Sequence, residues 1–286
     1  KLIFLKRGVG SKNPYFIFKL NKFLLQNSHD IIHVHAAEIG NLLLNRFRKK
    51  MILHIHATTE ITNNKIPKAK KYIAISNSVA KVLNEVYNIS DVEVVYNGIN
   101  FNQFVKKQTS RRTNKIISVG NLNDKIKNQS FLIKEFHKII DQIDANLYLV
   151  GDGKDRNKLH DLINLLNISN RVFLLGFKSQ NWIKKNLHKY DLFIQASLYE
   201  GLGISAIEAS AANLPLLLSN VDGHKEISEN GKLFKLFDVK NQNTLSNKII
   251  SVYSNYDHFC SEASKNYNIY EKKFGFENFN ENLMSI

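Results

Sequence analysis

Tyr199-Glu200-Gly201-Leu202-Gly203-Ile204-Ser205-Ala206-Ile207-Glu208-Ala209 is the stretch on which the reading of this chain turns. An apolar run, Asp191 to Ser197, leads into it and reads as a strand. A short glycine loop follows, then a small-residue helix from Ile204 to about Ala212. Pro215 stands in the next apolar run, Leu214 to Leu218. A helix start offers unpaired N–H groups and partial positive charge. Glycine lets a phosphate approach the backbone. The flanking carboxylates, Glu200 and Glu208, can accept hydrogen bonds from sugar hydroxyls. The pattern suits a polyhydroxylated ligand bearing a diphosphate. Ser205-x-x-Glu208 equally fits a capping box, in which the glutamate only satisfies a helix end. Glu200 has no such alternative, because a carboxylate at the C-terminal end of a strand points into the crevice where open α/β sheets bind ligands.

Bulk properties narrow the classes. With 286 residues, 43% of them apolar, the chain can form one large or two ordinary domains. Only three prolines and no low-complexity tract argue against disorder. The single cysteine, Cys260, excludes an internal disulfide framework and fits a reducing compartment. It has no CxxC or Cys/His cluster around it, so a structural zinc site of that kind is not expected. No apolar run approaches the ~20 residues that span a bilayer. The formal charge of +15 favours anionic partners, namely nucleotide-sugars or anionic lipid. The richness in Lys, Asn and Ile equally fits A/T-biased codons. Nucleic acid is not an expected partner, since no basic stretch interleaves with aromatics as in a reader module.

Short β-branched runs alternate with amphipathic stretches. Strands are expected at Leu2–Leu5, Ile31–His35, Met51–His56, Tyr72–Ser76 and Val92–Tyr96, and again at Ile116–Val119, Ala145–Val150, Arg171–Leu175, Leu192–Gln195 and Leu214–Leu218. Helices are expected at Pro14–Gln26, Ser78–Val86, Gln129–Ile143, Asn157–Leu166 and Trp182–Lys189. Such alternation implies βαβ units, parallel sheets and an α/β fold. Asn97–Asn100 and Phe104–Asn114 are polar, carry no strand pattern and read as a linker between two doubly wound halves. Lys6-Arg7-Gly8-Val9-Gly10 sits after what reads as a second strand, so the first half is expected to be incomplete at its N-terminus.

These residues resemble the signature of glycosyltransferase family 4, the retaining enzymes of the GT-B fold, and in style the bacterial enzymes of lipopolysaccharide and capsule synthesis. Two glutamates with seven residues between them, two of those glycines, are followed by Pro215 to Ser219. Supporting segments fall in the family's order: Ala74–Ser78, Val95–Ile99, Val119–Leu122, Lys127–Gln129, Leu149–Gly153, Val172–Phe177 and Gly223–Ile227. The resemblance implies two Rossmann-like domains facing a cleft. Residues 1–105, with a C-terminal helix at about 271–286, would form the acceptor side, and residues 106–270 would bind the nucleotide-sugar. It further implies that Glu200 contacts the donor sugar, that amides from Gly201 through Leu202 and Gly203 to Ile204 hold the diphosphate, and that Glu208 accepts from the ribose. Lys127 would neutralise the diphosphate, Gly151 and Gly153 would shape the pocket wall, and Val172 to Phe177 would frame the base. His56 resembles the family histidine that faces the reacting sugar, with His35 a weaker candidate beside it. Where the family usually carries an arginine, this chain has Asn121, and Lys127 lies one residue further on than usual. Lys125, Lys154 or Arg156 could compensate.

Transfer from such a donor needs positive groups at the phosphate and polar groups around the sugar. No DxD-like pair lies in a convincing strand-end loop, so no metal and no other cofactor is expected. Asp152 and Asp155 read as solvated surface. Glu200 and Glu208 do not fit the paired-carboxylate scheme of glycoside hydrolases. The His33/His35 and His54/His56 pairs have the period of strand residues on one face, and a His-x-His pair can also ligate zinc, but neither pair has a third ligand near it in the chain. Tyr199 and Trp182 read as packing residues, and His224 and Glu226 suit either a ligand cap or structure. The aromatics around Tyr267, Tyr270, Phe274, Phe276 and Phe279 read as core or domain docking.

The expectation is therefore a retaining, metal-independent hexosyltransferase. It would use a nucleotide-diphosphate sugar, with a UDP-sugar foremost, and a glycan or lipid-linked acceptor of the bacterial surface. It would be cytoplasmic and peripheral at the inner face of the membrane, with Lys19, Lys22 and Arg46 to Lys50 toward anionic lipid. The alternatives are a sugar-nucleotide epimerase or phosphorylase on the same scaffold, and a non-catalytic nucleotide-sugar binder.

Overall fold

The computed structural model describes residues 14–56, 65–108, 111–241 and 243–285. The expected strand Leu2–Leu5 and the glycines at 8 and 10 lie outside them. The chain divides into two compact units, Lys1–Val95 and Tyr96–Ile286. Residues 96–105 and 271–286, which the sequence reading assigns to the first domain, fall in the second unit. Local bonds hold them there: Ile99 N–H donates to Phe274 O at 2.8 Å and Val105 N–H to Lys184 O at 3.0 Å.

In the first unit, α1 (Pro14–Gln26) precedes β1 (Ile32–Val34), α2 (Ala37–Asn41), α3 (Asn45–Arg48), β2 (Met51–Ile55), β3 (Lys71–Ala74), α4 (Asn77–Tyr87) and β4 (Val92–Val94). The strands pair in the order β1-β2-β3-β4, all parallel. β2 is buried at every residue, as expected for an inner strand of a parallel sheet covered on both faces. Proline at the first position of α1 costs nothing, because its missing N–H would be unpaired there. Buried Asn21 ties α1 to the next loop: its Nδ2 donates to Leu42 O and its Oδ1 accepts from Leu44 N–H. Ser76 caps α4 by accepting from Val79 N–H at 3.2 Å, and left-handed Asn88 ends it.

The second unit holds β5 (Lys115–Val119), α5 (Asp124–Lys127), α6 (Gln129–His137), β6 (Asn146–Val150), α7 (Arg156–Leu165), β7 (Val172–Gly176), α8 (Gln180–Asn186), β8 (Leu192–Gln195), α9 (Ile204–Ala211), β9 (Leu216–Ser219), α10 (Asp222–Ile227), β10 (Lys235–Phe237), α11 (Thr244–Ser254), α12 (Tyr256–Phe274) and α13 (Phe276–Met284). Its strands lie in the order β10-β9-β8-β5-β6-β7, all parallel. From β5 the chain builds outward through β6 and β7, then returns to the other side of β5 with β8, β9 and β10. The strand order therefore reverses between β5 and β8, the place where ligands bind in open α/β sheets. β8 and β9 are buried throughout. Ile116, Leu147, Leu192 and Ile194 meet Leu132 and Phe136 of α6 in the core.

Several expected elements shift at their ends, two of them for a plain physical reason. The helix expected over Gln129–Ile143 stops at His137 and continues as turns, Ile139 N–H bonding to Phe136 O. The strand expected to open at Leu214 begins after Pro215, which has no N–H for a ladder and accepts from Phe193 N–H instead. A buried ion pair, Lys107 with Asp191 at 3.0 Å, fastens the linker to the foot of β8, and Thr113 and Tyr256 donate to the same carboxylate. No helix among the described residues is long and apolar enough to cross a membrane.

Candidate active site

The C-terminal ends of β5 and β8 carry the residues singled out in the sequence. Asn128 is left-handed (φ 53°) and separates α5 from α6, so that Lys127 closes the short helix α5. The alkyl chain of Lys127 lies over Gly120 at the end of β5, and Leu198 N–H donates to Ile126 O at 2.8 Å, tying α5 to the loop after β8. Across this tie Lys127 Nζ reaches Glu200 Oε1 at 2.5 Å. Gln195 Nε2 and Ser197 Oγ each donate to the same oxygen at 2.7 Å. Three donors thus converge on Oε1, leaving Oε2 without a donor among the described residues.

α9 begins directly beyond. Its N-cap is Gly203, left-handed at φ 91°, with no side chain to satisfy the helix end. Among the described residues the N–H groups of Leu202, Gly203 and Ile204 find no acceptor, so the helix start is open to an anion. The imidazole of His224 fills the space behind Gly203; a Cβ there would lie 3.0 Å from His224 Cδ2. His224 itself is wholly buried, with Nδ1 3.0 Å from both Ser219 Oγ and Ser219 O, and Nε2 3.3 Å from Gln195 Oε1. Burial drives its pKa down to about 4, against the raising effects of Glu200 and the Ser219 backbone. A neutral imidazole therefore backs the strand residue that holds Glu200.

The capping-box alternative for Glu208 does not hold. Ser205 lies inside α9 and its hydroxyl donates to Gln195 Oε1 at 3.3 Å, while Glu208 takes a hydrogen bond from Gln180 Nε2 of α8. Glu208 is 7% exposed, and burial raises its pKa from the ordinary glutamate value despite the opposing pull of Gln180 and Lys184. A carboxylate kept at that cost, with one neutral partner, has acceptor capacity left for a ligand.

The remaining expected residues are placed as follows. Gly151 (φ 140°) approaches the end of β5 so closely that a Cβ would lie 1.9 Å from Gly120 O. Gly153 follows against Leu122 O and the Asn121 side chain, so Asn121 borders that loop. Asp152 accepts from Gly153 N–H and Asp155 from Asp124 N–H, a structural use. Phe177, after β7, is 76% exposed. Tyr199, expected to pack, is instead 58% exposed beside Glu200. Glu226 accepts from Tyr96 Oη at 2.8 Å. Sequence reasoning did not find Gln195, Ser197 or Gln180. The one signal in the chain was a glutamine inside the otherwise apolar run 192–196.

His56 lies in the first unit, which has its own cluster. His33 and His35 follow the face of β1, and His54 and His56 the same face of β2. His35 Nδ1 lies 2.9 Å from His56 Nε2, and neighbouring ring centroids stand 4.3–5.5 Å apart. Burial lowers the pKa of His33 and His56, and that of His54 to about 3, with the neighbouring imidazoles adding to it.

Known proteins resemble this chain in sequence and fold. The model of the family described as glycosyl transferases group 1 matches residues 100–274, and that of glycosyltransferase family 4 matches residues 2–103. An uncharacterised glycosyltransferase of Methanocaldococcus jannaschii is 30% identical over 236 residues, which is 70% of this chain and 60% of that protein. The UDP-Gal:alpha-D-GlcNAc-diphosphoundecaprenol alpha-1,3-galactosyltransferase of Escherichia coli is 25% identical, over 80% of this chain and 68% of that one. Among solved structures, HepE of Anabaena in complex with UDP and glucose superposes with a TM-score of 0.84 at 18% identity, covering 95% of this chain and 80% of that chain. Sucrose-phosphate synthase of Thermosynechococcus elongatus gives 0.82 at 17%, over 95% and 76%. The chain spans 60% and 27% of the lengths of two M. jannaschii relatives. The fold is α/β of the GT-B type, and the chain belongs to the glycosyl transferases group 1 family, with the family 4 signature in its first part.

Proposed function

We propose that this chain transfers a hexosyl group from a UDP-sugar to a glycan or lipid-linked acceptor, with retention at the anomeric carbon, in the assembly of a bacterial surface polysaccharide. The observation that carries the reading is the meeting of Lys127, Glu200 and the open amides of α9 where the strand order reverses. Charge develops negatively on the leaving diphosphate and positively on the sugar ring. Lys127 and the amides from Gly201 to Ile204 answer the first, without a metal ion at the diphosphate. Glu200, through Oε2, orients the sugar hydroxyls. Glu208 accepts from the ribose, and Gly153, Asn121 and Phe177 border the nucleotide. The bond from the anomeric carbon to the diphosphate breaks. The acceptor oxygen bonds that carbon on the same face, and its proton passes to the departing phosphate oxygen.

The relatives' names support the donor and acceptor classes: the E. coli protein is named for UDP-Gal and a diphosphoundecaprenol-linked sugar, and HepE was solved with UDP. Calorimetric titration with UDP-, GDP- and ADP-sugars, followed by NMR of the product formed on a polyprenyl-diphosphate sugar, tests the reading. Preference for the UDP-sugar and an axial product linkage are expected. Failure to bind any nucleotide diphosphate would sink it, and donor conversion without acceptor would make the chain an epimerase.

Lys19 and Lys22 share α1 with Tyr15 and Phe18, which are 60% and 66% exposed, and we place this basic, aromatic helix on the anionic inner leaflet, with the protein cytoplasmic. Equal sedimentation with neutral and anionic liposomes would refute that placement.

A further inference from the structure

The two His-x-His pairs of the first unit are far apart in sequence and adjacent in space. β1 and β2 run parallel with His33 opposite Ile52 and Val34 opposite Leu53. By the period of two, residues 33 and 35 on one strand and 54 and 56 on the next share one face of the sheet. One ring nitrogen from each of His33, His35 and His54 lies within 4.8 Å of the others. A tetrahedral zinc ion bound at ~2.0–2.1 Å sets its nitrogen ligands roughly 3.3 Å apart, a closure of up to about 1.5 Å that side-chain rotation would have to supply.

His54 adds an independent observation. It is 1% exposed, and neither of its ring nitrogens has a hydrogen-bond partner. Buried polar atoms are almost always paired, and an exception calls for an explanation such as a missing ion. His33 and His35 are exposed, which gives a path in from solvent. The third ligand that neither pair has in the sequence comes from the neighbouring strand.

We propose that His33, His35 and His54 form a binding site for an imidazole-preferring divalent metal ion, zinc foremost, in the first unit. Three neutral nitrogens and no carboxylate select zinc, nickel or copper over magnesium and calcium. His56 Nε2 lies 2.9 Å from His35 Nδ1, an outer hydrogen bond of the kind that orients most metal-bound histidines when the ion sits on the other nitrogen. The proposed diphosphate chemistry does not call on this ion, because Lys127 and the α9 amides supply the positive charge there.

The full chain, stripped with a chelator, is titrated with Co(II), read by its visible absorption, and with Zn(II) against a chromogenic competitor. About one equivalent should bind, undisturbed by millimolar magnesium. His33→Gln should weaken binding by roughly tenfold or more and the H33Q/H35Q double variant further, since both positions are exposed and the fold should survive, as circular dichroism can verify. His160→Gln, an exposed histidine of the second unit, should change nothing. Absence of stoichiometric binding overturns the proposal, and so does equal binding by the double variant. UDP titration of the same samples reports on the other unit, so loss of one property without the other identifies which reading has failed.

Discussion

Lys127 Nζ stands 2.5 Å from Glu200 Oε1, so the cation that meets the diphosphate in the proposed reaction is already engaged by the carboxylate that meets the sugar. Both are largely shielded: the side chains are 22% and 9% exposed. Gln195 and Ser197 also donate to Glu200 Oε1, so the carboxylate keeps partners when the lysine turns to a ligand. Glu200→Gln should release Lys127 to the phosphates, leaving affinity for free UDP the same or higher while turnover falls about 100-fold. Lys127→Ala should weaken UDP binding by roughly 1.5–3 kcal/mol, the usual worth of a hydrogen bond to a charged group. Calorimetry and initial rates on both variants check the pair. A parallel loss of affinity in the two would mean that they act only as a structural ion pair.

Glu208 is buried with Gln180 as partner and plays no part in capping α9, whose N-cap is Gly203. Its removal should therefore not lower the stability of the ligand-free protein, because a desolvated carboxylate is lost. Glu208→Ala should weaken UDP binding about 10- to 100-fold, and binding of a 2′,3′-dideoxyribose analogue hardly at all. Thermal melting and UDP titration separate the outcomes. An unchanged UDP affinity with a lowered melting temperature would return Glu208 to a purely structural role.

Gly151 makes the β6 loop possible. At φ 140°, with a Cβ due 1.9 Å from Gly120 O, alanine there faces both backbone strain and a clash with main chain that cannot swing aside. Gly151→Ala should cost about 2–4 kcal/mol in urea unfolding, more than an ordinary surface change. Gly231→Ala is the control: its φ is 88°, but a Cβ there meets nothing closer than 3.7 Å, so the strain remains without the clash. Equal costs at the two positions would show that the approach to Gly120 carries no weight.

Elements with an apolar run of their own were legible in the chain, even three-residue β1 and β4, and those without one were not. α1 spans Pro14–Gln26 and β8 spans Leu192–Gln195, as the patterns require, since a whole helical face or a fully buried strand leaves a long apolar signal. β10 has only Lys235, Leu236 and Phe237, and α5 only four residues, in which no apolar run shows. Among site residues, Glu200, Gly203 and Glu208 could be read because the loop and helix that place them are contiguous. Gln195, Ser197 and Gln180 act on partners that only the packing of β8, the following loop and α8 brings into reach. The histidine cluster was half visible: the period of two put each pair on one face, and only the pairing of β1 with β2 joined them.

His224 makes stability depend on pH. Folded, its pKa is near 4; unfolded, it returns to about 6.5, so between these values the unfolded chain binds the extra proton. More protons on the unfolded state mean that stability rises with pH through this window, is complete above about 6.5, and is lost as pH falls toward 4. The shift corresponds to roughly 3 kcal/mol for this wholly buried ring. His224→Gln removes the titrating group and can still bond to the Ser219 oxygen atoms or to Gln195. Urea midpoints taken from pH 7 down to pH 4.5 should fall more steeply in the unaltered protein than in the variant, narrowing whatever gap separates them at pH 7. Parallel pH profiles would show that folding leaves the proton affinity of His224 unchanged, and so that burial does not lower it.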